Sequence, residues 1–473
     1  MARPLTPGPG PARPASVQWN PQLVRITGGL MLAMLVAAMD ATIVATGLPT
    51  IGKELHGISL YPWVFAGYLL TSTTTVPLWG RLADIYGRKN VLLAGLVVFV
   101  AASALCGTSS SMQMLVAFRV LQGIGAGCLQ PVAITTVGDL FPLEQRARVQ
   151  GLFSAMWGIA ALTGPLIGAV FVTTIGWRWI FEVNVPLGVA VVVLIWSFHD
   201  RPAEGGAHDI DWLGAVLLTA GIALTLVGLG AGGSKAGIDW RLVAPALALL
   251  AWFVYVERRL ASPTVPLRLL RHPLIGPALL AALAAGTLQW AATSYIPLYT
   301  QDVLGLSAYW AGASVAPMSL GWPIASVIAG RLLIRAGPWP LAFAGSVALV
   351  AAALLIATAP SVQVIVTASA VLGFGMGMMQ TPLLVTVQSS VSWAERGATT
   401  ALNQFARTIG GAVGVSLLGL LLVSPGIPPS RAALSSGLHA VFWTMPAMAA
   451  ASVLVCVAML AISRRRQAAP AVN

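Results

Sequence analysis

Charge is what this 473-residue chain has least of. Asp, Glu, Lys and Arg together make up 8% of it, against about 25% in a soluble globular domain. So few charges cannot solvate a surface of this size, and the outer surface must be apolar and face lipid. That excludes a soluble enzyme, a nucleic-acid binder and a disordered protein. Cysteine is nearly absent. Cys106, Cys128 and Cys456 each stand alone in an apolar run, which reads as small buried hydrophobes and not as a disulfide framework or a metal site. Lysine is scarce, at 3 against 23 Arg; this reads as genome bias and carries no function. Long polar segments are missing too. No connection between apolar runs exceeds about twenty residues, so there is no room for a soluble catalytic or ATP-hydrolysing domain.

What remains is a series of apolar runs. They lie near 26–48, 61–79, 91–107, 112–138, 149–174, 183–198, 212–231, 242–256, 274–300, 308–334, 339–359, 361–388, 398–423 and 437–462. A helix needs about 20 apolar residues to cross ~30 Å of hydrocarbon. The runs are too long for barrel strands and lack their alternation. The expected fold class is therefore an all-α polytopic membrane protein with fourteen spans, of which the eighth is the shortest. Residues 1–24, with five prolines between Pro4 and Pro14, read as a disordered tail. They do not read as a signal peptide, because the first apolar run begins only after Arg25 and is too long for one.

Basic residues set the orientation. Nineteen, among them Arg25, Arg81, Arg88, Lys89, Arg146, Arg259, Arg271 and Arg464, fall on one side of this scheme. Five (Lys53, Arg178, Lys235, Arg241 and Arg431) fall on the other, and Arg119 and Arg407 fall within spans. The formal net charge of +12 is thus a topology signal and not a nucleic-acid footprint. It puts both termini in the cytoplasm. Two glycine strings are decoys. Gly47 to Lys53 has P-loop spacing, but Glu54 stands where Ser or Thr would hold Mg²⁺. Gly228, Gly230 and Gly233 have dinucleotide-fold spacing without a βαβ unit around them.

Ionisable groups inside a bilayer cost roughly 2.5–3.5 kcal/mol each on insertion scales. Asp40 lies fifteen residues beyond Arg25, ~22 Å along a helix at ~1.5 Å per residue. That leaves ~8 Å to the outer edge of a ~30 Å core. Arg119 lies ~10 Å below the same edge on a span running inward, so the two can share one depth. Two readings are open: a static ion pair that fixes packing, or a protonatable carboxylate tuned by burial and a neighbouring Arg. Arg407 shares a helix face with Asn403 and Gly411; it meets either an anionic group or a carbonyl.

Three strings carry more pattern than packing demands. Arg119 opens Arg-Val-Leu-Gln122-Gly123-Ile-Gly125-Ala-Gly127. The next span has Gly158, Gly164, Pro165 and Gly168, small residues that let helices approach beside a proline that weakens the hydrogen-bond ladder. Gly80-Arg81-Leu-Ala-Asp84-Ile-Tyr-Gly87-Arg88-Lys89 packs four charges into one tight turn with glycines at Gly80 and Gly87.

These strings resemble the major facilitator superfamily. Residues 80–89 are similar to its conserved loop, and Asp40-Ala-Thr42, Arg119 to Gly127 and Gly158 to Gly168 to its motifs on spans 1, 4 and 5. Trp177 to Pro186, and Arg396-Gly397 with Asn403, Arg407 and Gly410-Gly411, resemble its fourteen-span drug:proton antiporter branch. Departures are Ala169 after Gly168, Ala45 and Thr46 after the Ile-Val pair, and a decayed second loop, Gly330 to Gly337, that has lost its acid.

The resemblance implies two six-helix bundles plus two additional helices. The expected units are a tail at 1–24, bundles at 25–200 and 261–463, the additional pair at 201–260, and a basic cytoplasmic tail at 464–473. It implies proton coupling through Asp40 and Arg119, and a cytoplasmic gate at Gly80, Arg81, Asp84, Gly87 and Arg88. Gly158, Gly164, Pro165 and Gly168 form the antiporter motif. The expected cavity is lined by Gln122, Trp157, Gln289, Trp290, Tyr295, Asn403 and Arg407, with Trp63, Tyr68, Gln130, Thr293 and Gln404 beside them; aromatics and neutral amides suit lipophilic ligands. The implied function is proton-coupled export of lipophilic compounds, cationic ones included, from a bacterial plasma membrane. The expected protein is a monomer, not an enzyme, without cofactor or metal, whose partners are substrate, protons and lipid. The alternatives are a dedicated exporter of a host metabolite, antibiotic or lipid, and a membrane-embedded transferase. For the last, the five histidines are too scattered to form a catalytic group.

Overall fold

The architecture is taken from a computed structural model, which describes residues 21–55, 60–198, 211–229, 238–260, 263, 265–306, 308–359, 361–422 and 431–468. The expected tail at 1–24 lies almost wholly outside these, as do residues 469–473 and the decoy glycines Gly230 and Gly233. Among the described residues the chain is helical and has no strand. The helices are α1 (Pro21–Glu54), α2 (Tyr61–Thr74), α3 (Val76–Tyr86), α4 (Arg88–Gly107), α5 (Met112–Leu140), α6 (Leu143–Thr174), α7 (Trp179–Glu182) and α8 (Asn184–Ile195). They continue with α9 (Trp212–Gly228), α10 (Trp240–Arg259), α11 (Ile275–Leu298), α12 (Ala308–Ala336), α13 (Pro338–Ala357), α14 (Val362–Ser389), α15 (Arg396–Gly419) and α16 (Arg431–Ala468). Among the described residues, nine helical stretches are long and apolar enough to cross a membrane, and shorter apolar helices lie at Val149–Ala160, Trp179–Ile195 and Trp212–Gly228. The outward faces are apolar, as lipid requires: Leu166, Val193, Trp196 and Leu454 all stand largely exposed.

Local chemistry explains where helices stop. Pro77, near the start of α3, has no N–H to give to the preceding turn, and the chain breaks from α2 to α3 at Thr75. Residues 80–89, expected as a turn, are mostly helix. The Asp84–Arg88 pair at i,i+4 bridges the corner, and only Gly87, at φ +88°, turns the chain. A side chain at that φ would be strained.

The packing repeats. In the first half α1 packs on α6 and α8, α5 on α2 and α4, and α4 on α8. In the second half α11 packs on α15 and α16, α14 on α12 and α13, and α13 on α16. The repeat has a register. Gly95 and Gly125 close the α4–α5 crossing, and Gly345 and Gly375 close the α13–α14 crossing. Gly123 and Gly127 abut the carbonyls of Tyr68 and Ser72, as Gly373 and Gly377 abut those of Met318 and Trp322. The corner Gly87 recurs as Gly337, φ +76°. Every one of these pairs is 250 residues apart. A methyl group at Gly125, Gly345 or Gly375 would meet facing backbone, and one at Gly95 the Cys128 side chain. α9 and α10 pack chiefly on each other.

The halves touch through α3 on α15 and α6 on α12. Gly80 faces Ala401 and the Gly397 carbonyl, Gly151 faces Val327, and Gly158 faces the Ser319 carbonyl. The first of these contacts closes the side that carries residues 80–89, called the loop face below. A cavity of about 470 Å³ lies between the halves.

Candidate functional site

The site has three parts: a charged cluster, a latch and the cavity between them. The cluster forms where α1, α4, α5 and α8 meet. Arg119 Nη1 donates to Asp40 Oδ2 at 2.6 Å, and neither side chain has any exposed surface. Asp40 Oδ1 accepts from Gln122 Nε2 at 2.9 Å and from Asn184 Nδ2 at 3.1 Å. Both amides also donate to the Ser103 hydroxyl, at 2.6 and 3.2 Å. Arg119 gives further bonds to Gln122 Oε1 and the Val64 carbonyl. The Asp40 carboxylate thus accepts three hydrogen bonds, one of them from the Arg119 cation. The Tyr68 ring lies 4.0 Å from the Arg119 guanidinium. Tyr68 also lines the cavity, which Asp40 and Arg119 do not. One aromatic ring thus borders both the open space and the buried charges.

The latch is at the loop face. Asp84 Oδ1 accepts from the Gly397 N–H at 2.9 Å and Oδ2 from the Ala398 N–H at 2.7 Å. These are orphan donors in the first turn of α15, so a carboxylate of one half caps a helix of the other. Arg88 bonds Asp84 at 2.6 Å and Asp139 at 3.1 Å, donates to the Trp393 carbonyl and lies over the Trp393 ring. Arg396 bonds Asp139 from the opposite half. Burial raises the Asp84 carboxyl to about 6 in spite of Arg88 and the two amides, so the ionised latch is held with little margin. Arg81, expected in the gate, makes none of these bonds. It lines a separate cleft with Arg258, Arg268, Glu395 and Ala398.

The cavity wall includes Trp157, Gln289, Trp290, Asn403 and Arg407, with Tyr68, Gln130, Thr293 and Gln404. Three expected residues are elsewhere. Gln122 turns into the charged cluster, where a neighbouring acid outcompetes open space for its amide. Tyr295 instead donates its hydroxyl to the Val415 carbonyl at 2.6 Å, and Trp63 is likewise absent from the wall. Arg407 donates to Gln289 Oε1 at 3.0 Å and Gln404 Oε1 at 3.3 Å, with Trp322 nearby. Glycines set this geometry. Gly286 abuts the Arg407 carbonyl, Gly411 abuts the Trp290 ring and Gly414 abuts Thr287, so α11 and α15 run close and aim Gln289 and Arg407 into one space. In α6, Gly164 abuts Thr42, whose hydroxyl donates to the Ala160 carbonyl at 3.0 Å. Gly168 is buried in the same helix, as Gly158 faces α12. Pro165 falls within α6, its side chain outside the described residues.

Sequence reasoning gave no role to Ser103, Asn184, Asp139 or Trp393. Asp139 carried a usable signal, as an acid at a span end in a chain with only 14 acidic residues. Ser103 carried none, being one hydroxyl in an apolar run.

Comparison with known proteins places the chain among relatives. A family model for the Major Facilitator Superfamily matches residues 30–415. The chain is 36% identical over 401 residues to the multidrug transporter protein MdtP of Bacillus subtilis, covering 83% of this chain and 74% of that one. It is 34% identical over 402 residues to multidrug resistance protein 3 of the same organism, covering 83% and 78%. It is 32% identical over 402 residues to the efflux pump dotC of Dothistroma septosporum, covering 82% and 68%. Among solved structures it is similar to the human organic anion transporter MFSD10, with a TM-score of 0.69 at 17% identity over 93% of this chain and 100% of that one. It is also similar to the proton:xylose symporter XylE, with a TM-score of 0.64 at 16% identity over 92% and 95%. At such identities these two likenesses concern fold alone.

Proposed function

Since the chain belongs to the major facilitator superfamily, and so to the multi-pass membrane transporters, we propose that it exports lipophilic compounds in exchange for protons by alternating access. The observation that carries this is the Asp40 carboxylate, fully buried against Arg119 behind the Tyr68 wall of the cavity. A proton reaching Asp40 removes its attraction for Arg119 and frees the cluster that ties α1 to α5. Each pKa unit of that coupling corresponds to about 1.4 kcal/mol between conformations. One charge crossing about 100 mV is worth about 2.3 kcal/mol, enough for a nearly fiftyfold gradient at about 1.4 kcal/mol per decade.

Export as the direction is supported by the relatives, a multidrug transporter and an efflux pump. The fourteen-span reading is supported by a helix over each apolar run. The basic bias of the connections supports both termini, and the loop face, being cytoplasmic. In that orientation the latch of Asp84 and Arg88 closes the cytoplasmic side, and α6 on α12 is the surface over which the halves rock.

The test is substrate-induced proton release from energised inverted vesicles. Asp40→Asn is expected to bind substrate and to lose uphill exchange. The double variant Asp40→Asn with Arg119→Gln removes both charges, so it is expected to recover stability and still not exchange. Proton release at the wild-type ratio in either variant would place coupling elsewhere and leave the ion pair a packing device.

A further inference from the structure

The two arginines within spans are treated differently by their surroundings. Arg119 is neutralised by Asp40. Arg407 has no acidic partner among the described residues; it meets two glutamine oxygens and a tryptophan ring. It is also the only ionised side chain among the described residues that line the cavity. A guanidinium has five N–H donors, and the two glutamines engage only Nε and Nη1. Among the described residues the lining therefore carries one formal charge, a positive one, beside the indoles of Trp157, Trp290 and Trp322.

We infer that the substrate is a lipophilic organic anion, a carboxylate or sulfonate on an aromatic or alicyclic body, whose acidic group is bound by Arg407. Arg is suited to this, because its planar fork meets the two oxygens of a carboxylate side by side. Trp157, Trp290 and Trp322 then face the apolar body. A lipophilic cation would enter a cavity of its own charge sign with no acid among the described lining residues to receive it. The exchange also has a favourable electrical sense: a monoanion leaving and a proton entering both move charge down an inside-negative potential. The inference rests on the export reading and narrows its substrate.

The test uses the full-length protein in nanodiscs and three probes on one body: pyrenebutyrate, its methyl ester and pyrenebutyltrimethylammonium. The wild type is expected to bind the acid about tenfold or more tighter than the ammonium, or about 1.4 kcal/mol. Arg407→Gln is expected to lose that preference while ester binding stays the same, and Arg407→Lys to keep part of it. Equal or tighter binding of the ammonium by the wild type overturns the inference, whether or not the variants fold. So does unchanged acid binding in an Arg407→Gln protein that still binds the ester. Energised inverted vesicles separate this from the export reading. Uncoupler-sensitive uptake of the ammonium without any for the acid overturns the anion assignment and leaves export standing. Tight acid binding with no uncoupler-sensitive uptake of any probe overturns export and leaves the binding site.

Discussion

Arg119 and Arg407 sit in the two halves of one repeat, and their surroundings are opposites. At the 250-residue interval Arg119 corresponds to Ser369 and Arg407 to Trp157. The first half holds its charge inside, sealed by Asp40, Gln122 and Asn184. The second half has no charge at that place and puts one on the cavity wall. Two copies of one helical plan thus differ: one seals a charge-balanced cluster, and the other borders the cavity with a cation; the proposed function gives the proton to the first and the ligand to the second. The lesson is that an intramembrane charge is read by its partner and its access to water, more than by its depth.

The sharpest way to break the contrast is to neutralise each arginine in turn. Arg119→Gln strands the buried Asp40 carboxylate, and removing one member of a buried pair costs about 3–5 kcal/mol. Arg407→Gln removes a charge that has no acidic partner and borders open space, so its effect on stability should be within about 1 kcal/mol. Unfolding of the two variants in denaturing detergent measures both. Similar losses would mean that the two sites are equally structural.

A second contrast is between the corners at Gly87 and Gly337. Asp84 corresponds to Ile334, so only the first corner has a latch. Asp84→Ala orphans two first-turn N–H groups and leaves Arg88 to Asp139 and Trp393. A hydrogen bond to a charged group contributes about 1.5–3 kcal/mol. The closed loop face should therefore open readily, seen as faster maleimide labelling of a Ser154→Cys reporter on the cavity wall. Ile334→Ala should leave the labelling rate where it was, and equal acceleration by both would remove the asymmetry.

The smallest effect is expected at the opposite face. There the half-exposed Glu54 carboxylate takes bonds from Arg178 and Trp177, both at 2.8 Å. Those bonds, Arg178 first, hold its pKa below the usual 4.5. Since the folded value is the lower one, the pair stabilises above about 4.5 and its contribution fades as pH falls through the depressed value. Solvent screening keeps it under about 1 kcal/mol. Glu54→Gln should lower the unfolding midpoint slightly at pH 7 and not at pH 3.

Much of this was legible in the chain. Low charge and run length specify helices in lipid, and helix arithmetic alone put Asp40 and Arg119 at one depth. The glycine strings were legible as close approaches, although which helix each would meet was not. What escaped reading depends on tertiary direction. Gln122 and Arg119 are on one helix face, yet whether that face looks at Asp40 or at open space is decided by α1 and α8. Arg81 and Asp84 are three residues apart, and only the placement of α15 beside α3 decides which of them bridges the halves. The 250-residue register was present in the sequence, but its glycines repeat while its charges do not, and attention to charge hides it.

The carboxylate of Asp84 is the cap of α15, and a cap can be lost without the helix leaving. When the loop face parts, the amides of Gly397 and Ala398 lose their acceptor, and the first turn of α15 is left to fray. That turn carries Arg396, which ties Asp139 from across the gap, so fraying releases a second bond from the same event. Under the proposed alternating access, opening is then a local melting of one helical turn coupled to a separation of bodies. Amide hydrogen exchange confined to residues 396–399, rising and falling with the transport cycle, would be its signature.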